Sequence, residues 1–219
     1  MHMNTECVTL HTNDGAAIAA DYYPADVDRG VILAHMMPAD RKSWAALAGT
    51  LQAAGFRVIA IDLRGHGESQ GGPVGYKKFS DAEHRASIQD VKAAAEALAE
   101  RGASTIHLGG ASIGANLVLQ YAAEHEEVAS AILLSPGLEY RGLATEAHAR
   151  RIRKGQAIYY IAAEDDIYSA ETVKKLFAVT PEYAEKELHV FPAGGHGTNL
   201  FKTHPELMEE LTQWLTERT

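Results

Sequence analysis

Apolar residues in this chain fall into short runs separated by longer segments of helical spacing, and that alternation points to a fold class. Two stretches rich in strand formers, Cys7–His11 and Ala17–Tyr23, flank Asn13-Asp14-Gly15, a hairpin signal that predicts an antiparallel start. From Val31 the pattern changes. The runs Val31–Ala34, Val58–Ile61, Ile106–Leu108, Ala131–Leu134, Ile158–Ile161 and Leu188–Phe191 have the length of buried strands. The segments between them predict helices over Ser43–Ala54, Asp81–Arg101, Ile113–Glu124, Ala170–Val179 and Pro205–Glu217. Strands alternating with helices imply an α/β domain with a mostly parallel central sheet and helices on both faces. Between Pro136 and Gln156 there is room for one short helix, so a minimal lid or none is expected.

No repeat, low-complexity tract or Pro/Gly/Ser-rich linker interrupts the chain, and residues 1–219 read as a single domain. A content of 46% hydrophobic and 22% charged residues is that of an ordinary globular protein. The net charge of −9, with no basic run to offset it, argues against nucleic acid as a partner. Cys7 is the only cysteine, so no intrachain disulfide can form, which suits a reducing compartment. The opening Met1–Glu6 lacks the charged start and apolar run of a signal peptide, and no stretch approaches the ~18 apolar residues that span a membrane. A cytoplasmic protein without a membrane partner is the expectation.

Candidate chemistry sits where strands run into helices. After Ile106-His107-Leu108 comes Gly110-Ala111-Ser112-Ile113-Gly114, a G-x-S-x-G match leading directly into a helical segment. A sharp strand-to-helix turn thrusts the serine hydroxyl outward, and glycine on both sides lets neighbouring backbone approach. The competing reading is a connector whose serine caps the helix. Taken as a nucleophile, Ser112 needs a base to remove its proton and a carboxylate to hold that base in the right tautomer, in the order serine, acid, histidine. His196, in Gly194-Gly195-His196-Gly197 after a later strand, is the expected base; His107, His125, His189 and His204 look like bystanders. The acid lies in Glu164-Asp165-Asp166, at the sheet edge where ligand sites of open α/β sheets gather, with Asp166 preferred over Asp165. An oxyanion would be held by backbone N–H groups of the first strand-to-helix loop and of the residue after the nucleophile, which points to Met37 and Ile113. In that loop the side chains of Met36 and Met37 are free to form an apolar wall.

Taken together these segments resemble the α/β-hydrolase superfamily from about Val31 to the C-terminus. A further likeness is Asp62-Leu63-Arg64-Gly65-His66-Gly67-Glu68-Ser69, which is similar to the D-x-R-G-H-G-x-S loop of esterase-like members. In the family that loop is mainly structural, so the resemblance does not make His66 and Ser69 a catalytic pair. It implies a triad of Ser112, Asp166 and His196, the acid falling three residues past Ala163, where a glycine usually stands. His35-Met36-Met37 replaces the common His-Gly pair, with Met37 in the oxyanion position. The short 137–155 segment looks like lidless esterases or dienelactone-hydrolase-like members.

The function expected is hydrolysis of small carboxylic esters through an acyl-serine intermediate. Thioesters, lactones and short peptides suit the same machinery, and a non-catalytic ligand-binding protein of the same fold is the alternative from another class. There is no G-x-G-x-x-G, no P-loop and no H-E-x-x-H, so neither cofactor nor metal is expected.

Overall fold

A computed structural model describes residues 4–218; Met1–Met3, part of the stretch read for a signal sequence, and Thr219 lie outside the described residues. The described residues form ten strands: β1 (Glu6–His11), β2 (Ala17–Tyr23), β3 (Arg29–Ala34), β4 (Arg57–Ile61), β5 (Thr105–Ala111), β6 (Val128–Leu134), β7 (Glu139–Tyr140), β8 (Leu143–Ala144), β9 (Ala157–Ala163) and β10 (Glu185–Phe191). Eight of them form one sheet in the order β1-β2-β4-β3-β5-β6-β9-β10. The β1–β2 and β2–β4 pairs are antiparallel and every other pair in that sheet is parallel, as the sequence pattern implied.

The same residues form eight helices: α1 (Ala45–Ala53), α2 (Asp81–Ala86), α3 (Ile88–Glu100), α4 (Ile113–Glu124), α5 (Glu146–Ala149), α6 (Ile167–Val179), α7 (Leu200–Thr203) and α8 (Leu207–Thr216). Pleating sorts the strand residues onto the two faces. Ile32 and Ala34 of β3 join the core built with α3, α4 and α6, whereas Val31 and Leu33 join the core with Trp44, α1 and α8. The interior strands β5, β6 and β9 are buried almost throughout, which explains their unbroken apolar runs.

The helix expected over Asp81–Arg101 is in fact two, broken at Ser87. The break brings Asp90 into the first turn of α3, where its buried carboxylate accepts from Arg64 N (2.8 Å) and Arg64 Nε (2.9 Å). The 137–155 segment holds the expected short helix, α5, and also the separate β7–β8 hairpin. Among the described residues no lid domain lies between β6 and β9.

Candidate active site

The connection from β3 runs to β4 on one side and the next, from β4, crosses to β5 on the other side of β3, so the C-terminal ends of β3 and β5 flank a topological switch point. Ala34 of β3 pairs with Gly110 of β5. Three residues beyond that pair come Met37, in the loop after β3, and Ile113, at the start of α4, so both expected oxyanion residues follow the ends of adjacent strands. Among the described residues the Met37 N–H has no hydrogen-bond partner. Ile113 opens α4, where the first N–H groups have no carbonyl a turn earlier to bond.

Ser112 sits between them with φ 54° and ψ −120°, a conformation that non-glycine residues adopt only under constraint. The constraint is visible. Ser112 N donates to Leu134 O of β6 (2.9 Å), and Ser112 O accepts the first bond of α4 from Asn116 N (3.1 Å). A Cβ on Gly110 would strike Gly114 O, and one on Gly114 would strike the Ala34 carbonyl, so both flanking glycines are dictated by close backbone approach. Ser112 itself is 7% exposed.

The structure brings Asp166, not Asp165, to the histidine. Asp166 Oδ2 lies 2.6 Å from His196 Nδ1. A carboxylate can only accept, so Nδ1 carries the proton and Nε2 is left with a free lone pair. The imidazole is about one-third exposed and the carboxylate 16%. Burial pushes the Asp166 carboxyl up, but the hydrogen bond from His196 and the polarity of the neighbouring Ser169 and Ser135 hydroxyls outweigh it and hold the group below the ordinary carboxylate range. Asp165 instead supports the backbone, where its carboxylate accepts from Gly194 N (3.2 Å) and Gly195 N (3.0 Å) and fixes the loop that carries His196. His204 completes that support through Nε2 to Ala193 O (2.7 Å).

Met36 packs between the two loops, since a Cβ on Gly197 would lie 2.6 Å from its Sδ and 3.4 Å from the Ala111 side chain. This seats the histidine loop against the Ser112 turn, with Met36 packed against the core on that side of the sheet. His35, fully buried, accepts from Leu63 N through Nε2 (3.0 Å) and donates from Nδ1 to Met36 O (2.9 Å), latching the same loop to the end of β4. Burial lowers its pKa to about 4, so it stays neutral.

Three residues escape a reading of the sequence alone. Ser135, in positive φ just past β6, accepts from Gly197 N (2.9 Å) beside Asp166. Ser169, one turn into α6, donates to Ser135 O (3.4 Å). Tyr140, on the β7–β8 hairpin, stands edge-on to the His196 ring with centroids 6.2 Å apart. Ser135 alone carries a signal in the sequence, its place just past the end of a strand, where this fold class gathers its chemistry. The D-x-R-G-H-G-x-S segment, in contrast, turns inward: Asp62 pairs with buried Arg41, and Ser69 Oγ donates to Asp62 O (2.6 Å).

A family model described as the alpha/beta hydrolase fold matches residues 30–176, about two-thirds of the chain. The chain belongs to this family. A non-heme chloroperoxidase of Streptomyces lividans is 37% identical over 130 residues, covering 58% of this chain; the chain thus spans under half of that relative, 44% of its length. Among solved structures, an esterase of Pyrococcus furiosus aligns over 99% of this chain and 93% of its own with TM-score 0.82 at 19% identity. An esterase of Rhodococcus sp. aligns over 97% and 99% with TM-score 0.74 at 16% identity. At such identities the likeness is one of fold. Among the described residues no helix is long and apolar enough to cross a membrane.

Proposed function

We propose that this family member is a serine hydrolase that cleaves carboxylic esters of small substrates through an acyl-serine intermediate. The observation that carries the reading is the 2.6 Å contact of His196 Nδ1 with Asp166, on a loop whose Gly197 packs against Ala111, the residue before a strained, glycine-flanked Ser112. Ser112 attacks the ester carbonyl while His196 Nε2 takes its proton, and Asp166 holds the imidazole in the reacting tautomer and stabilises its charged form. The Met37 and Ile113 amides receive the oxyanion. His196 then returns the proton to the departing alcohol, and water releases the acid by the same route.

This chemistry needs neither metal nor cofactor, and we place the enzyme in the cytoplasm, acting on a small-molecule substrate without nucleic acid or membrane. Thioesters, lactones and short peptides fit the same residues, so the ester preference is the finer part of the proposal. The test is hydrolysis of p-nitrophenyl esters from acetate to octanoate, with fluorophosphonate labelling alongside. The native chain should turn over and label, and Ser112→Ala should lose at least about ten-thousand-fold in kcat with its fold intact. Folded native protein that neither turns over nor labels would favour the ligand-binding reading.

A further inference from the structure

The β7–β8 hairpin is fastened to α4, the helix that follows Ser112. Asn116, one turn into α4, accepts from Gly137 N (3.1 Å) and donates to Leu143 O (2.8 Å), and Thr145 Oγ1 donates to Gly137 O (2.8 Å). Tyr140 lies on this hairpin with its ring pressed on the chain: a Cβ on Gly137 would come within 2.6 Å of Tyr140 Cε2. The ring also stands edge-on to Tyr168, with centroids 5.7 Å apart, and Tyr168 is itself tied to the hairpin because its hydroxyl accepts from Glu139 N (3.2 Å). The phenol is therefore positioned, not a freely rotating surface group. Its oxygen is 3.3 Å from Ser169 Oγ, and Ser112 is among the side chains near enough to influence the phenol's acidity.

We propose that Tyr140 is a further catalytic residue, which donates a hydrogen bond to the leaving-group oxygen of the ester. The inference rests on the acyl-serine reading above. In that reaction the carbonyl oxygen turns to the Met37 and Ile113 amides, and the leaving oxygen must face His196, which protonates it. Tyr140 shares the His196 side of the site: its ring stands edge-on to the imidazole, and its hydroxyl lies beside Ser169. The bond from Ser112 Oγ to the acyl carbon forms as the bond from that carbon to the alcohol oxygen breaks. The Ser112 proton passes through His196 to the alcohol, while Tyr140 keeps its own proton and supplies a hydrogen bond as negative charge gathers on the departing oxygen. Burial raises the phenol above its ordinary value, opposed by the Ser169 hydrogen bond and assisted by the Asp166 charge, so it remains a donor at neutral pH.

Tyr140→Phe tests this, because it keeps the ring packing and removes only the hydroxyl. Acetate esters of p-nitrophenol, phenol and ethanol hold the acyl group constant while the leaving group worsens. The loss of kcat/KM in Tyr140→Phe should be about tenfold larger for ethyl acetate than for p-nitrophenyl acetate, the worth of one neutral hydrogen bond. A purely structural role for the hydroxyl would lower all three equally, and an equal loss overturns the proposal while leaving Ser112 as nucleophile. A native chain that hydrolyses none of the esters and is not labelled at Ser112 overturns the acyl-serine reading and this inference with it.

Discussion

Two regions of this molecule carry a serine and a histidine among glycines, Gly65–Ser69 in one case and the Ser112 turn with the His196 loop in the other, and their hydrogen bonds divide them. Ser69 has both functions of its hydroxyl occupied, donating to Asp62 O and accepting from Ala19 N (2.8 Å). His66 is 2% exposed, stacks on Tyr76 at 4.0 Å, and meets no carboxylate among the described residues. His196 is open to solvent on one side and held by Asp166 on the other. Residue type is the same in the two places. What differs is access and support: His66 Nε2 is also unpartnered, but it is sealed in the interior with no carboxylate behind the ring, whereas His196 keeps an open face and an acceptor on Nδ1, and that is what separates a fastening from a reactive group.

The contrast can be attacked at its strongest point by removing the carboxylate that His66 lacks. Asp166→Asn keeps the shape but donates where His196 needs an acceptor, so kcat for ester hydrolysis should fall about ten-thousand-fold with little change in melting temperature. An effect of only a few-fold would mean that His196 is no more poised than His66. Ser69→Ala tests the other loop. It strands two backbone groups in a buried site and should lower unfolding free energy by about 1–3 kcal/mol in urea titrations, while turnover per folded molecule stays constant. Loss of turnover without loss of stability would break the division.

The smallest effect is on pH dependence. In the folded chain burial lowers the pKa of His66 to about 4, whereas an unfolded histidine titrates near 6.5. Between these values the unfolded state holds the proton and the folded state does not, so stability is present above about 6.5 and drains away as pH falls towards 4. His35 contributes in the same sense. His66→Phe should therefore flatten the dependence of urea midpoints on pH between about 4.5 and 6.5 by one proton's share, without altering the slope above about 7.

How far the sequence could be read follows from the range of the interactions involved. The interior strands and the Ser112 turn declare themselves locally, because each needs a short apolar run or glycine at fixed spacing. Asp166 and His196 were legible as candidates from their places after strands, but only the folded chain separates Asp166 from Asp165, since both carboxylates face the same histidine loop. The β7–β8 hairpin was hidden for a local reason. Its strands have two residues each, too few for alternation, and its turn places Arg141 and Gly142 at φ 52° and 78°, where Asn-Gly would have been the recognisable signal. With the hairpin unseen, Tyr140 had no address. Ser169 was invisible, and the place of Ser135 after a strand did not reveal its role, because their partners lie on other elements, 62 residues away for the Ser135 bond to Gly197.

The left-handed backbone at Ser112 has an evolutionary consequence. Holding a serine there forgoes about 1–3 kcal/mol that a residue without a side chain would recover. A library of this chain selected for heat resistance alone should thus enrich Ser112→Gly, and only a second round that demands turnover should restore the serine.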